Sequence, residues 1–267
     1  VKEARYLLSH ILGIPLSATY LNPSLTVEQQ EAYQTLLDRR LKGEPLAYLI
    51  QSTEFWSLNL KITRDVLIPR PETELLVEQA LHLIEPRRLP MNILELGTGS
   101  GAIAIALKKE RPDWQVVAVD KSPAALAIAK ENANTHQADI LFFESDWFSE
   151  VPHRTSEKFD LIVSNPPYIA EQDPHFQGSI RYEPRIALAS GLDGLKDLTN
   201  IVSKSREYLK PNGLLLLEHG YDQAEAVRSL LKRHHYQNIA TVQDLFGNDR
   251  VTHGIWNEGS LQAISIK

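Results

Sequence analysis

The chain has 267 residues, with 28 Lys or Arg against 34 Asp or Glu, for a net charge of −6. That length allows one large domain, or a standard domain carrying a smaller one, and the acid excess argues against a broad phosphate-binding surface. Cysteine is absent, which excludes disulfides, thiolate metal ligands and a cysteine nucleophile.

No apolar run approaches the roughly 20 residues that a membrane span requires, so no membrane association is expected. Glu3, Arg5 and His10 interrupt the opening stretch, which therefore does not read as a signal peptide. The cytoplasm is the expected address. The chain opens on Val1 rather than Met, which leaves room for residues before it.

To about Ile50 the pattern is helical. Tyr6, Leu7, Ile11 and Leu12 recur at helical spacing. Thr26 and Gln29 form a capping box ahead of the stripe Tyr33, Leu36, Leu37 and Leu41, and Gly43 supplies a stop. A unit this small is marginal alone and is expected to pack on the rest of the chain. Phe55 to Ile68 reads as a β-hairpin, with Trp56, Leu58 and Leu60 alternating, a break at Thr63-Arg64-Asp65, and a second strand at Val66-Leu67-Ile68. Thr73 and its acidic neighbours Glu72 and Glu74 fit the start of a helix through Leu75, Leu76 and Leu81. The expected organisation is a helical unit over 1–53, a hairpin linker over 54–70 and a main domain over 71–267.

From Met91 short apolar runs alternate with amphipathic helices. Strands are expected at Ile93–Leu96, Val116–Val119, Ile140–Phe143, Leu161–Val163 and Leu214–Leu217. Helices are expected over Gly101–Lys109, Ala124–Ala133 and Leu198–Leu209. That alternation predicts an α/β, doubly wound and mainly parallel sheet. Ile239–Val242 and Val251–Ile255 are joined by too short a loop for a crossover helix, so the last two strands pair antiparallel.

Gly97-Thr98-Gly99-Ser100-Gly101 stands at a strand-to-helix junction, where glycines permit a tight turn and close approach of a ligand to the backbone. Asp120 ends the next strand, about 20 residues on, where a carboxylate can accept both hydroxyls of a ribose. A nucleoside-containing cofactor follows, but NAD and S-adenosylmethionine fit this loop equally, since Ala102 completes the relaxed dinucleotide pattern. Asp146 could accept from an adenine amino group and Trp147 could flank its ring, although a core role for the Trp is as good a fit.

Asn165-Pro166-Pro167-Tyr168 ends the fourth strand on the same side. A strand-terminating turn explains an Asn or a Pro there, but not a stiff Asn-Pro-Pro-aromatic facing the glycine loop. An amide or aromatic amine nitrogen is a poor nucleophile. Two acceptors, the Asn165 side-chain oxygen and the Pro166 carbonyl, can hold its two N–H groups, aim it at a methyl sulfonium and favour the pyramidal transition state. Pro167 stiffens the turn, and Tyr168 can pack on the planar group. His219, His234 and His235 lack ligand spacing, so no metal is expected. Ile169 to Gly194 is long and poorly patterned, and placed to cover the acceptor; Tyr182, Glu183 and Arg185 stand out within it.

The chain resembles the peptide chain release factor glutamine methyltransferases, the HemK/PrmC type, over nearly its whole length. The resemblance is carried by the glycine loop, the tetrad at Asn165, Gly43-Glu44-Pro45, Glu54-Phe55-Trp56-Ser57-Leu58, Ile68-Pro69-Arg70-Pro71-Glu72-Thr73-Glu74, Ser145-Asp146-Trp147-Phe148, Tyr182-Glu183-Pro184 and Glu218-His219-Gly220. It implies a class I methyltransferase domain, Rossmann-like, with a seven-stranded sheet and an antiparallel C-terminal hairpin, behind a helical N-terminal substrate-docking domain. It implies methyl transfer from S-adenosyl-L-methionine, leaving S-adenosyl-L-homocysteine, to the glutamine of the Gly-Gly-Gln loop of release factors in translation termination. Carried over, Gly97, Thr98, Gly99, Ser100, Gly101, Asp120, Asp146, Trp147 and Asn165 are expected at the cofactor. Asn165, Pro166, Pro167, Tyr168 and Arg70 are expected at the glutamine, with Asn165, Pro166 and Tyr168 catalytic. The protein is expected to be a monomer without direct nucleic-acid contact. Two departures are visible: the first helix is short, and Gln51 stands where the family usually has Gly. Methylation of an exocyclic adenine or guanine amine is the alternative; it shares the tetrad but calls for a basic recognition surface. An NAD-dependent oxidoreductase leaves the tetrad without a role, and a non-catalytic cofactor-binding module leaves it without a reason.

Overall fold

A computed structural model describes residues 2–84, 90–151, 155 and 157–257. Among them no helix is long and apolar enough to cross a membrane. The N-terminal unit comprises α1 (Lys2–Leu12), α2 (Val27–Leu41) and α3 (Leu46–Ile50). Thr26 and Gln29 form the expected capping box, each side chain satisfying the other residue's backbone N–H. Gly43 follows the helix in the left-handed region at φ +94°. Gln51 ends α3 at φ +56°, a conformation that favours glycine.

The hairpin is present, but its strands lie earlier than expected. β1 (Ser52–Phe55) pairs antiparallel with β2 (Leu58–Lys61) across Trp56-Ser57, both at positive φ, 51° and 58°. Such a turn normally advertises itself with Asn-Gly. Here the Glu74 carboxylate instead accepts the Trp56 N–H at 2.7 Å and holds the turn. Thr63-Arg64-Asp65 closes a local turn, in which the Asp65 N–H donates to the Thr63 hydroxyl oxygen, and Val66–Ile68 continues as a loop.

The main sheet has seven strands: β3 (Asn92–Leu96), β4 (Gln115–Asp120), β5 (Ile140–Glu144), β6 (Phe159–Ser164), β7 (Leu209–Glu218), β8 (Gln237–Gln243) and β9 (Asp249–Ile255). Their order is β5-β4-β3-β6-β7-β9-β8. The first five are parallel and β9 runs antiparallel to both β7 and β8, as the short final connection predicted. The helix before β7 is shorter than its apolar spacing suggested: it stops at Ser205, and Leu209 already pairs with Phe159. A bulge through Lys210–Gly213 then restores register at Leu161↔Leu214.

Successive strand residues bury opposite faces. Ile93, Leu161, Val163, Leu214 and Leu216 pack with α4 (Glu74–Leu83), α5 (Ala102–Glu110), α6 (Pro123–Thr135) and the hairpin's Phe55, Leu60 and Ile62. Leu94, Ile162, Leu215 and Leu217 pack with α7 (Lys196–Ser205) and α8 (Ala224–Arg233). Each such side chain contributes roughly 1.5–3 kcal/mol on burial. The two cores hold the sheet rigid and bring the carboxyl ends of β3, β4, β5, β6 and β7 to one edge, the ligand-binding edge of such sheets.

Candidate active site

At that edge the glycine loop leaves β3. Gly97, Gly99 and Gly101 all have positive φ, at 73°, 54° and 85°. At Gly101 a side chain would also strike Ile105 at 3.0 Å and Ala129 at 3.3 Å, so the loop presses directly on α5 and α6. The loop is tied from below. Glu95, buried, accepts the Thr98 hydroxyl at 2.7 Å and the Ala104 N–H at 3.0 Å, and burial pushes its carboxyl up to about 8. The buried Asn132 amide donates to the carbonyls of Ser100 and Lys61 and accepts the Lys61 N–H, so one side chain joins loop and hairpin.

Asp120 accepts the Gly99 N–H at 2.8 Å and the Ser122 N–H at 2.9 Å; desolvation raises its pKa despite these bonds. Trp147 lies against Gly97, within 3.5 Å of where a Cβ would be, and donates from Nε1 to Asp197 at 3.1 Å. Asp146 stands at the rim in an exposed ion pair with Lys121 at 2.8 Å.

A cavity of about 250 Å³ opens here, lined by Gly97, Gly99, Asp120, Asp146, Trp147, Asn165 and Pro167. Two further stretches complete its wall, the second of them the segment expected to cover the acceptor. Asp65, Val66 and Leu67 come from the loop after the hairpin, and Pro184, Ile186, Ala187 and Ala189 from the segment after the tetrad. Thr98, Ser100, Gly101, Pro166, Tyr168 and Arg70 are not among the lining residues. Thr98 and Ser100 are buried beneath the loop, and the Arg70 guanidinium is committed to an ion pair with buried Glu183, which also accepts the Ile68 N–H at 3.1 Å.

The tetrad turns away from the sheet directly after Ser164, whose hydroxyl donates to the Leu96 carbonyl at 2.8 Å. Asn165 Nδ2 donates to the Thr73 hydroxyl oxygen at 3.0 Å, so Thr73, at the helix start, also stands beside the acceptor turn, as the resemblance implies for the loop from Arg70 to Glu74. The Tyr168 hydroxyl donates to Glu218 at 3.2 Å, and burial next to that carboxyl raises its pKa. Tyr168's carbonyl accepts from Gln223 and lies 2.2 Å from where a Cβ on Gly194 would be, which makes Gly194, at φ +76°, a requirement. Glu218 and His219 point to opposite faces, as neighbours on a strand must: Glu218 toward Tyr168, His219 toward Thr252 at 2.7 Å.

The segment from Ile169 to Gly194 forms three short 3-10 helices rather than an open loop. Arg181 and Tyr182 donate to the Lys42 carbonyl at the end of α2, at 2.7 and 2.9 Å, and Glu183 holds Arg70. Arg185 donates to the Glu171 carbonyl and stacks on Phe176. The segment thus joins the helical unit to the wall of the cavity.

A parallel sheet with an antiparallel final pair, a glycine loop after its first strand, a carboxylate after its second and an Asn-Pro-Pro-Tyr turn after its fourth define a class I S-adenosylmethionine-dependent methyltransferase. A solved methyltransferase structure from Pyrococcus furiosus shares this fold with a TM-score of 0.57 at 15% identity, over 83% of this chain and 98% of that one. Residues 72–180 match the family model described as Methyltransferase small domain, and residues 1–50 match PrmC N-terminal domain. The release factor glutamine methyltransferase of Shewanella oneidensis is 47% identical over 95% of this chain and 88% of its own, and that of Salmonella typhimurium is 48% identical over 95% and 91%. The chain belongs to the release factor glutamine methyltransferase family.

Proposed function

We propose that this protein transfers a methyl group from S-adenosyl-L-methionine to the side-chain amide nitrogen of the glutamine in the Gly-Gly-Gln motif of peptide chain release factors, leaving S-adenosyl-L-homocysteine. The observation that carries the reading is that Asn165 and Pro167 line the same cavity as Gly97, Gly99 and Asp120. Donor loop and acceptor turn therefore serve one space, which a nucleotide-dependent oxidoreductase would not need.

The cavity fits the donor: glycines at positive φ allow close approach, Asp120 offers carboxylate oxygens at a desolvated position, and Trp147 supplies a flat apolar wall. When bound, the donor supplies an electrophilic methyl on a sulfonium. The chain's own work is positional. Asn165 Oδ1 and the Pro166 carbonyl accept the two N–H groups of the acceptor amide, and Tyr168 packs beside it. Fixing the nitrogen in line at about 3–3.5 Å supplies much of the rate. Acceptors alone at the turn favour the nitrogen as it turns positive, and the extra proton leaves readily once the methyl is attached.

The helical unit, residues 1–53, is the natural docking platform for the rest of the release factor, with the hairpin over 54–70 as its linker, since the segment carrying Arg181 and Tyr182 joins the unit to the cavity wall. Release factors act in the cytoplasm, and the reaction belongs there. The net charge of −6 favours this over methylation of a nucleic-acid amine, and no direct nucleic-acid contact is needed.

Labelled S-adenosylmethionine, offered with a purified release factor, the same factor with Gly-Gly-Ala in its loop, and duplex DNA, tests the reading. Label on the intact factor alone, reduced at least about 100-fold in Asn165→Ala, is the expected result. Label on DNA, or on both forms of the factor equally, would overturn it.

A further inference from the structure

Trp147 has φ +55°, a region that bulky residues rarely occupy and that persists only where the surroundings hold it. Two serines do the holding. Buried Ser145 donates its hydroxyl to the Trp147 carbonyl at 2.8 Å and accepts the Glu150 N–H at 3.0 Å, while the Asp146 N–H donates to Ser149 Oγ at 3.1 Å. The turn therefore fixes where the indole starts. It does not fix the rotation of the ring, and a ring turned edge-on would offer the cavity no flat wall.

That rotation is set at opposite edges of the indole. On one side Cζ3 and Cη2 lie 3.5 and 3.7 Å from where a Cβ on Gly97 would be. On the other side Nε1, the ring's single hydrogen-bond donor, donates to Asp197 Oδ1 at 3.1 Å. Asp197 is itself anchored. Its N–H donates to Ser190 Oγ at 2.9 Å; Ser190 is buried, and its own N–H donates to the Ile169 carbonyl at 2.9 Å, one residue past the acceptor turn. The oxygen that receives the indole N–H is thus placed from the acceptor side of the cavity, which Trp147 and Asp197 both line. A helix-start role also favours an acid here, because Asp197 is the second residue of α7. That role explains the charge but not the reach to an indole 50 positions away in the chain.

We infer that Asp197 is a positioning residue for the methyl donor: it holds the Trp147 indole as the wall that receives the donor's purine. The inference rests on the reading of this cavity as the donor's, and it asks nothing of the release factor.

The test uses the full chain and S-adenosyl-L-homocysteine, with Kd measured by calorimetry and folding by circular dichroism. This probe shares the donor's purine but not its sulfonium charge, so a lost carboxylate is not read as lost attraction to a cation. Asp197→Ala should raise Kd about tenfold, the effect of losing one hydrogen bond to a charged acceptor. Asp197→Asn, which keeps an oxygen to accept the indole N–H, should stay within about threefold of the wild type. Trp147→Phe keeps an aromatic ring but has no N–H to hold, and should itself raise Kd about tenfold. Added to Trp147→Phe, Asp197→Ala should raise Kd by no more than about a further twofold, because the bond through which Asp197 acts is already gone. A helix-start role, or a direct contact with the donor, would weaken Trp147→Phe as much as the wild type, and that result overturns the inference. So does Asp197→Ala binding within about twofold of the wild type, or Asp197→Asn binding as weakly as Asp197→Ala. If Asp197→Ala does not fold, Asp197→Ser, whose hydroxyl is too short to reach the indole, takes its place in both comparisons. A wild-type chain that binds S-adenosyl-L-homocysteine but leaves the release factor unlabelled would defeat the proposed function alone, so the two failures are separate.

Discussion

Glu44 sits between two arginines, accepting from Arg39 at 2.7 and 2.8 Å and from Arg64 at 2.5 Å, and these partners hold its carboxyl down at about 2. Its stabilisation is complete above the unfolded value of about 4.5 and is lost as pH falls through about 2. The shift caps the contribution at about 3 kcal/mol, and the exposure of both guanidinium groups brings it nearer to about 1 kcal/mol. Glu95 and Glu218 act in the other sense, because burial pushes them up to about 8 and about 7. Between pH 4.5 and those values the folded chain holds protons that the unfolded chain has released, so stability falls as pH rises. Thermal melting followed from pH 4.5 to 8 should show that decline. Glu95→Gln should flatten it, because an amide keeps a neutral group of similar shape beneath the glycine loop. A melting curve in Glu95→Gln as steep in pH as the wild type would contradict the assignment.

At the scale of elements, Asn132 binds α6, the glycine loop and β2 together through three hydrogen bonds. Asn132→Ala leaves the Lys61 N–H and two carbonyls without that partner in a buried setting, at a cost of about 2–3 kcal/mol. Because the Ser100 carbonyl is one of them, donor affinity should fall as well, by about three- to tenfold in calorimetry, with the release factor's KM unmoved. Unchanged donor affinity would mean that the loop holds its shape without the hairpin. Much of this architecture is legible in the residues. Periodicity places β3 to β6, because short apolar runs alternate with helices of helical period, and the short loop between β8 and β9 makes the final pair antiparallel. The hairpin's register is not legible, since Trp56 and Ser57 adopt positive φ with no Asn or Gly to announce it, and a carboxylate 18 residues away stabilises the turn. The helix end before β7 misleads for a similar reason: Leu209 continues the apolar spacing of α7 but belongs to the sheet. In the site, the loop glycines, Asp120 and the tetrad are local patterns and can be read directly. Thr73, Glu218 and the cavity wall at Asp65–Leu67 come together only through tertiary packing; Thr73 and Asn165 are 92 positions apart.

Across the whole molecule, the cavity has walls from three stretches of sequence and one sheet edge, and β9 completes that sheet from within. It lies between β7 and β8, pairing Val251 with both Glu218 and Val242. A chain ending at Asn248 would expose the backbone edge of a long apolar strand and uncover the buried Glu218. Such edges recruit other chains. That truncation should be insoluble or fail to bind S-adenosylmethionine, as solubility and calorimetry would show; a soluble form that binds the donor with wild-type affinity would refute this. The order of the strands also sets an order in time. During synthesis the glycine loop, Asp120 and the tetrad emerge first and can begin to pack, yet the strand that seals the carboxylate behind Tyr168, β9, follows all of them. On the proposed function, the elements that hold donor and acceptor are made before the strand that completes their sheet.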